Sequence, residues 1–391
     1  MREAMDYFLT DEEKELQQLA RRIAEEKVRP VAAKYDRSGE FPWEMVQVFR
    51  EAGLFAVAIP EEYGGLGMGI MGLVLVTEEL SRACAGIALA VAGTALGAMP
   101  ILIAGSPEQK QRYLPRIAEG EILAAFCLTE PEAGSDAGAL RTTAVRDGDS
   151  YVLNGTKHFI TNGGVAGVYT VIALTDPSKG SRGASAFVVD ADTPGLIVGK
   201  KEDKMGIRAS ATAEIHFDNC RVPKENLLGR EGLGFVIALQ TLDQSRPGVA
   251  AQALGIAQGA LDLALEYARQ RKQFGQSIAS FQGIQFMLAD MATEIEAARA
   301  LIYAVARYID RGGKDYGKVS AMAKLFASDV AMRVTTDAVQ IFGGYGYMRE
   351  YPIEKYMRDA KITQIYEGTN QIQRNVIARH LIKESAARGK A

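Results

Sequence analysis

The chain has 391 residues, 48% hydrophobic and 24% charged, which is ordinary globular usage and excludes a disordered or collagen-like chain. Its length accommodates two or three domains with sizeable cores. Forty-five basic residues stand against 48 acidic ones, a formal net charge of −3. No basic excess is available to neutralise nucleic acid or a membrane surface, although a local basic pocket for one phosphorylated ligand is compatible with that balance.

The first ten residues carry acids and lack the basic-then-apolar layout of a signal peptide. With no targeting segment, the expected location is the cytoplasm, or the mitochondrial matrix for a mature eukaryotic chain. Thr10-Asp-Glu-Glu13 is a capping box, and behind it Leu16, Leu19, Ala20 and Ile23 recur at helical spacing. Gly67-Met-Gly-Ile-Met-Gly72 matches the dinucleotide fingerprint, but that fingerprint needs a βαβ unit and the following residues are Ala-rich and helix-like. It reads as a flexible loop leading into a helix. Residues 83–106 contain no charge and could span a bilayer by length. Gly86, Gly93, Gly97, Pro100 and Gly105 interrupt them, so the expectation is a buried helix pair lining an apolar pocket, with no membrane span. Ser106-Pro-Glu-Gln109 repeats the capping pattern, with Pro107 in the first turn.

From about Ala124 the texture changes. Asn154-Gly155, between Tyr151–Leu153 and Thr156–Ile160, predicts a two-residue hairpin. Val168–Thr175, Ala184–Val189 and Ala213–Phe217 are short β-branched and aromatic runs. Together they predict a small antiparallel β domain of about a hundred residues. After Gly229-Arg-Glu-Gly-Leu-Gly234 the pattern is helical to the end. Leu254, Leu261, Leu265 and Ala268 mark one helix face; Met322, Phe326, Val330 and Val334 mark another. The expected fold is a multidomain α+β protein: helices over 1–122, antiparallel β over 123–231, and a helical bundle over 232–391.

Cys84, Cys127 and Cys220 lie far apart, and the histidines are His158, His216 and His380. Neither a disulfide framework nor a metal site is expected, and the chain reads as reduced and intracellular. P-loop, G-x-S-x-G and H-E-x-x-H motifs are absent, so hydrolase and NTPase readings lack their parts.

Two stretches rise above this background: Cys127-Leu-Thr-Glu-Pro-Glu-Ala-Gly-Ser-Asp136 and Gln340-Ile-Phe-Gly-Gly-Tyr-Gly-Tyr-Met-Arg-Glu350, the latter running on through Lys355 to Asp359. With Arg271-Lys-Gln-Phe-Gly275 and Ile365-Tyr-Glu-Gly-Thr369, they resemble the signatures of the acyl-CoA dehydrogenase family in order and spacing, over essentially the whole chain. The texture is most similar to the short- and medium-chain enzymes. The resemblance implies a helical N-terminal domain, a middle β domain and a C-terminal four-helix bundle. It also implies non-covalent FAD, oxidation of an acyl-CoA to the trans-2-enoyl-CoA, and electron transfer to an electron-transfer flavoprotein. A homotetramer built as a dimer of dimers is the implied assembly.

Taken alone, Glu367 reads as a solvated loop residue; in the family context it matches the base that removes the α-proton while a hydride passes to flavin N5. An unperturbed carboxylate, with a pKa of ~4.3, is a poor base and must be desolvated for that work. The Glu367 amide, with a flavin ribityl hydroxyl, would hold the thioester oxygen. For FAD, the resemblance carries over to Phe126, Leu128, Thr129, Gly134 and Ser135, and to Phe159, Ile160 and Thr161, where Phe159 replaces the commoner Trp. Arg271, Phe274, Gln340 and Gly344 match residues that reach a neighbouring subunit's FAD, and Thr369 and Gln371 match contacts just after the base. For substrate, Asp243 and Arg246 match the pair handling CoA, with Ser135 and Ser181 as further candidates and Tyr366 and Gly368 flanking the thioester. Isovaleryl- and long-chain-type enzymes carry the base just before the matching arginine, where this chain has Ser245. No basic residue lies between Arg82 and Lys110, which argues against a glutaryl-type charged tail. The expected substrates are therefore short- to medium-chain acyl-CoAs, branched ones included. An acyl-CoA oxidase and a non-catalytic scaffold are the alternatives: the first usually has an extra C-terminal domain, and the second should have lost the base or flavin motifs.

Overall fold

In the computed structural model, which describes residues 5–388, the chain opens with helices. α1 (Asp11–Ile23) begins at the expected capping box, with Thr10 and Glu13 each accepting the other's amide. A π-helical turn carries it into α2 (Arg29–Ser38), and α3 (Trp43–Glu51) follows. The Gly67–Gly72 run leads into α4 (Gly69–Ala104), and a 3₁₀ turn rather than a strand precedes it. The Asp310 carboxylate accepts from the amides of Ile70 and Met71, both at 2.8 Å. An acid therefore already satisfies the positive end of α4.

Residues 83–106 do not form a helix pair. They continue α4, which is broken only at Cys84 (φ −160°, ψ 108°). The glycines serve close packing instead of interruption: a Cβ on Gly97 would lie 2.5 Å from the backbone of Ala124 and Ala125. α5 (Pro107–Ala118) starts at the second capping box, formed by Ser106 and Gln109.

The middle of the chain is an eight-stranded sheet: β1 (Ala124–Cys127), β2 (Thr143–Asp147), β3 (Ser150–Thr161), β4 (Val168–Leu174), β5 (Ala184–Asp190), β6 (Leu196–Lys201), β7 (Thr212–Pro223) and β8 (Leu227–Leu228). Their order is β6-β7-β3-β2-β4-β5-β8, with β1 pairing β4. The sheet is mostly antiparallel, but β1 and β2 each run parallel to β4. The predicted hairpin at Asn154-Gly155 is not there. β3 runs straight through it, and the chain reverses earlier, at Gly148 (φ +59°) between β2 and β3. Gly155 is needed because the pairing of β3 with β7 slips there and its backbone lies close to the residue before β2: a Cβ would meet the Thr142 hydroxyl at 2.5 Å.

α6 (Gly234–Gln270), α7 (Gln282–Asp310), α8 (Gly317–Phe342) and α10 (Asn370–Arg388) form the bundle, with α9 (Ile353–Thr363) packed between α6 and α8. α6 packs as extensively on α4 as on α8, so one core runs from Leu73, Val74 and Leu89 into the bundle. Leu254, Leu261, Ala268, Val330 and Val334 are buried as expected. Leu265 is exposed, and Met322 and Phe326 are only partly covered. The true inward stripe of α6 is alanine (Ala250, Ala253, Ala257, Ala260, Ala264), which lets helices approach closely but hides from a search for large residues. α4 and α6 are both long and apolar enough to cross a membrane, and the most apolar stretch of each is largely buried inside the protein.

Buried charge ties these layers together. Glu78 on α4 accepts from Arg299 (2.9 Å) and Tyr303 (2.6 Å) on α7, while Arg299 also donates to Gln258 on α6 at 2.8 Å. Removing one partner strands the other charge away from water. Arg299→Met should therefore lower stability by about 3–5 kcal/mol. The urea midpoint checks this, and adding Glu78→Gln should restore part of the loss.

Candidate active site

A cleft of about 580 Å³ opens where α4, α6, the sheet and the segment before α10 meet. α4 supplies an uncharged wall that includes Leu89, Ala92, Leu96 and Met99. The sheet contributes Phe126, Leu128 and Thr129 on one side and Phe159, Ile160 and Thr161 on the other. α6 brings Ser245, Arg246, Val249 and Gln252, facing Tyr366, Glu367 and Gly368.

The sheet side is held by a buried ion pair. Lys157 reaches the Glu130 carboxylate at 2.8 Å and the Leu128 carbonyl at 3.0 Å. Glu130 also accepts from the amides of Arg141 (2.6 Å) and Thr142 (3.0 Å), so its charge is fully engaged. The His158 amide donates to the Thr129 carbonyl at 2.8 Å. This network aligns the strand ends that carry Leu128, Thr129 and Phe159. The ladder slips between Lys157 and Ile160, and Phe159 takes the left-handed conformation (φ +57°), leaving its ring 60% exposed. A large aromatic side chain in that conformation is uncommon and marks a constrained position.

Glu367 is also left-handed (φ +53°), and hydrogen bonds hold its loop on several sides. Lys324 of α8, fully buried, donates to the Gly368 carbonyl (2.8 Å) and to Asn370 Oδ1 (2.9 Å). Gln373 donates to the carbonyls of Glu367 (3.1 Å) and Gly368 (2.8 Å). Arg246, ion-paired with Asp243 at 2.6 Å, reaches the Glu367 carbonyl at 3.4 Å. The Ser245 hydroxyl bonds the carboxylate oxygen Oε2 directly. Burial pushes the Glu367 carboxyl above the ordinary carboxylate range, opposed by the Ser245 hydrogen bond and the charges of Arg246 and Lys324. Burial likewise pulls the Lys324 ammonium down to about 7.

The cleft thus gathers Phe126, Leu128, Thr129, Gly134, Ser135, Phe159, Ile160, Thr161, Arg246, Tyr366, Glu367 and Gly368 from across the chain. Asp243 sits behind Arg246 as its ion-pair partner, outside the lining. Ser181 lies in the 3₁₀ turn Pro177–Gly183, near Gly138 but also outside the lining. Thr369 accepts from the Ile372 amide at 3.3 Å, a helix-start role, and Gln371 is exposed on α10. Arg271, Phe274, Gln340 and Gly344 are not brought to this cleft. Arg271 and Gly344 line a separate surface pocket, where the Arg271 guanidinium lies 5.3 Å from the centre of the Tyr345 ring. Phe274, at the tip of a two-residue ribbon, is 92% exposed, and Gln340 is exposed on α8.

Sequence reasoning missed Gln252, Arg379 and Ser245 as lining residues and Lys324 as the anchor of the Glu367 loop. A lysine in the Ala-rich stripe of α8, among residues predicted to be buried, is the one trace it could have followed. It also missed His158, Glu202 and Glu214, whose ligand-type atoms lie within 4.8 Å of one another on the sheet. His158 Nδ1 is 2.9 Å from Glu214 Oε1, so protonation of the ring would make an ion pair there.

Three family models match in succession: the acyl-CoA dehydrogenase N-terminal domain over 10–121, the middle domain over 125–220 and the C-terminal domain over 232–382. The chain belongs to the acyl-CoA dehydrogenase family. It is 49% identical to the short-chain-specific acyl-CoA dehydrogenase of Clostridium acetobutylicum, covering 96% of this chain and 99% of that one. Butyryl-CoA dehydrogenase from Megasphaera elsdenii superposes with a TM-score of 0.94 at 48% identity, covering 97% of this chain and 100% of that one. A structure concerned with the electron transferring flavoprotein of Acidaminococcus fermentans, and with flavin-based electron bifurcation, contains a chain with a TM-score of 0.94 and 53% identity. That match covers 96% of this chain and 99% of the other.

As an acyl-CoA dehydrogenase the protein is an oxidoreductase that uses FAD, and the cleft fits that cofactor. A Cβ on Gly134 would meet nothing within 4 Å, leaving room beside Ser135, and the bare Phe159 ring offers an apolar face to a planar group.

The raised pKa of Glu367 has a consequence for stability. Between the unfolded value of ~4.3 and the higher folded value, the folded state holds the extra proton, so stability falls as pH rises through that window. Glu367→Gln removes this penalty. The variant should unfold at higher urea than the parent at neutral pH, with the gain vanishing below about pH 4.3. Urea titrations across pH check the sign.

Proposed function

We propose that the protein oxidises short- to medium-chain acyl-CoA thioesters, branched ones included, to trans-2-enoyl-CoA, with Glu367 as the base that takes the α-proton. The observation that carries this reading is the Glu367 carboxylate: it lines the cleft, its basicity is raised by burial, and it stands beside Arg246 and opposite the uncharged wall of α4. A thioester carbonyl acidifies its α-carbon, and the positioned carboxylate removes that proton. The amide of Glu367, displayed by the left-handed loop, is a donor for the thioester oxygen. FAD, when bound, supplies the two-electron acceptor for the hydride that leaves the β-carbon. Phe126, Leu128, Thr129, Ser135, Phe159 and Thr161 would hold it. Arg246, behind the base loop, and Arg379 at the cleft rim are cations suited to the CoA portion.

The short-chain preference is supported by the named activities of the Clostridium and Megasphaera relatives. The cleft residues from α4 carry no charge, which disfavours an acyl tail ending in a carboxylate. An electron-transfer flavoprotein as acceptor is supported by the subject of the Acidaminococcus structure. Glu367→Gln keeps shape and removes the proton acceptor. FAD content and CoA binding should persist, while flavin reduction by butyryl-CoA slows by about 10²–10⁴-fold in stopped flow. A near-normal rate would assign the proton to another residue.

The assembly we propose is a homotetramer, a dimer of dimers in which Arg271, Phe274, Gln340 and Gly344 serve a neighbour's FAD. The support is their position: they lie away from the cleft of their own chain, and Phe274 presents a bare aromatic ring. Arg271→Ala should reduce FAD retention while far-UV circular dichroism stays unchanged. An FAD-loaded, active monomer in sedimentation would refute the shared site.

A further inference from the structure

We propose that Ser245 is a positioning residue for the base, its hydroxyl holding one carboxylate oxygen of Glu367 so that the other is left for the substrate. The proposal rests on the assignment of Glu367 as base.

Ser245 is buried in the interior of α6, one residue before Arg246. Its Oγ touches two acceptors: Oε2 of Glu367 and, one turn back, the Leu242 carbonyl at 3.2 Å. A serine inside a helix ordinarily gives its one proton to such a carbonyl. Here an anion competes for it. A charge-assisted bond is roughly twice as strong as a neutral one, so the proton points at Glu367 while the carboxylate is ionised. Among the described residues the other oxygen, Oε1, receives no hydrogen bond, which leaves it for the substrate α-proton.

Once Glu367 has accepted that proton on Oε1, Oε2 is the carbonyl oxygen of the acid and still accepts from Ser245, through a weaker, neutral bond. One proton moves from substrate carbon to Glu367; Ser245 gains and loses none. No heavy atom has to shift, so the loop keeps its place through the step. The charged and titratable groups around Glu367 include Tyr366 of its own loop, Arg246 and Asp243 of α6, Lys324 of α8 and Arg379 of α10, while Ser245 supplies the hydroxyl in contact with the carboxylate.

Ser245→Ala and Ser245→Thr, made in the FAD-loaded enzyme, test this. Losing a donor to the ionised form makes the carboxyl harder to ionise. In Ser245→Ala the rise of flavin-reduction rate with pH should move up by about one pH unit, with butyryl-CoA affinity little changed. Infrared titration of the resting enzyme, with the Glu367 band identified by its loss in Glu367→Gln, should show the same displacement without turnover. Ser245→Thr keeps the hydroxyl and should titrate like the parent. An unmoved carboxyl titration in Ser245→Ala, or a Thr variant that behaves like Ala, overturns the proposal. A displaced infrared titration with an unmoved rate profile instead overturns the assignment of Glu367 as base, and the positioning role with it.

Discussion

A carboxylate that must stay basic has to be kept from water, yet an ionised group in an apolar cleft is costly unless something holds it. Much of the site's architecture answers that conflict at Glu367. Burial raises its basicity, while Ser245, Arg246 and Lys324 keep the ionised form accessible. The same groups fix its geometry. Lys324 and Gln373 grip the carbonyls on either side of the left-handed turn, so the strained backbone is paid for by hydrogen bonds that continue into α8 and α10. The loop is therefore set by the bundle.

The cleft exists because α4 belongs to two layers at once. One side packs on β1 so closely that Gly97 tolerates no side chain, and the other side joins the core of α6. Small residues along both helices bring the sheet-borne aromatics and the loop-borne Glu367 to the walls of one cavity. Two carboxylates pin this arrangement: Asp310, at the surface, closes the start of α4, and the buried Glu78 binds it to α7. Each accepts from two donors, which the buried Glu78 in particular requires.

A different physical logic governs the surface pocket of Arg271 and Gly344. Tyr345 there and Phe274 on the adjoining ribbon are exposed and lie apart from the cleft, which is costly for an isolated chain and useful where another surface covers them. Several cleft residues are oriented by side chains of their own chain, whereas Phe274, 92% exposed, meets Phe281 edge to face with ring centres 6.0 Å apart. That contrast separates a preformed wall from a surface suited to assembly.

The sequence by itself determined the local features. Both capping boxes were readable because a cap involves residues three apart, and the change from helical to strand texture near Ala124 was readable because side-chain periodicity is local. Motif resemblance reached further, to the family and to twelve of the residues that the cleft gathers. What it could not reach depended on chain segments meeting across long separations. Asn154-Gly155 has hairpin chemistry, yet pairing with β2 and β7 over the full length of β3 outweighs a local turn preference. Glycines that read as breaks in residues 83–106 are contacts with β1, which appear only once the sheet lies against α4. Ser245 and Glu367 are 122 positions apart, and Lys324 lies 44 before the carbonyl it holds. No periodicity links such residues. Only the packing of α6 and α8 around Glu367 decides that a serine meets its carboxylate and a lysine its loop, because hydrogen bonds act over a few ångströms of space, not over positions in the chain.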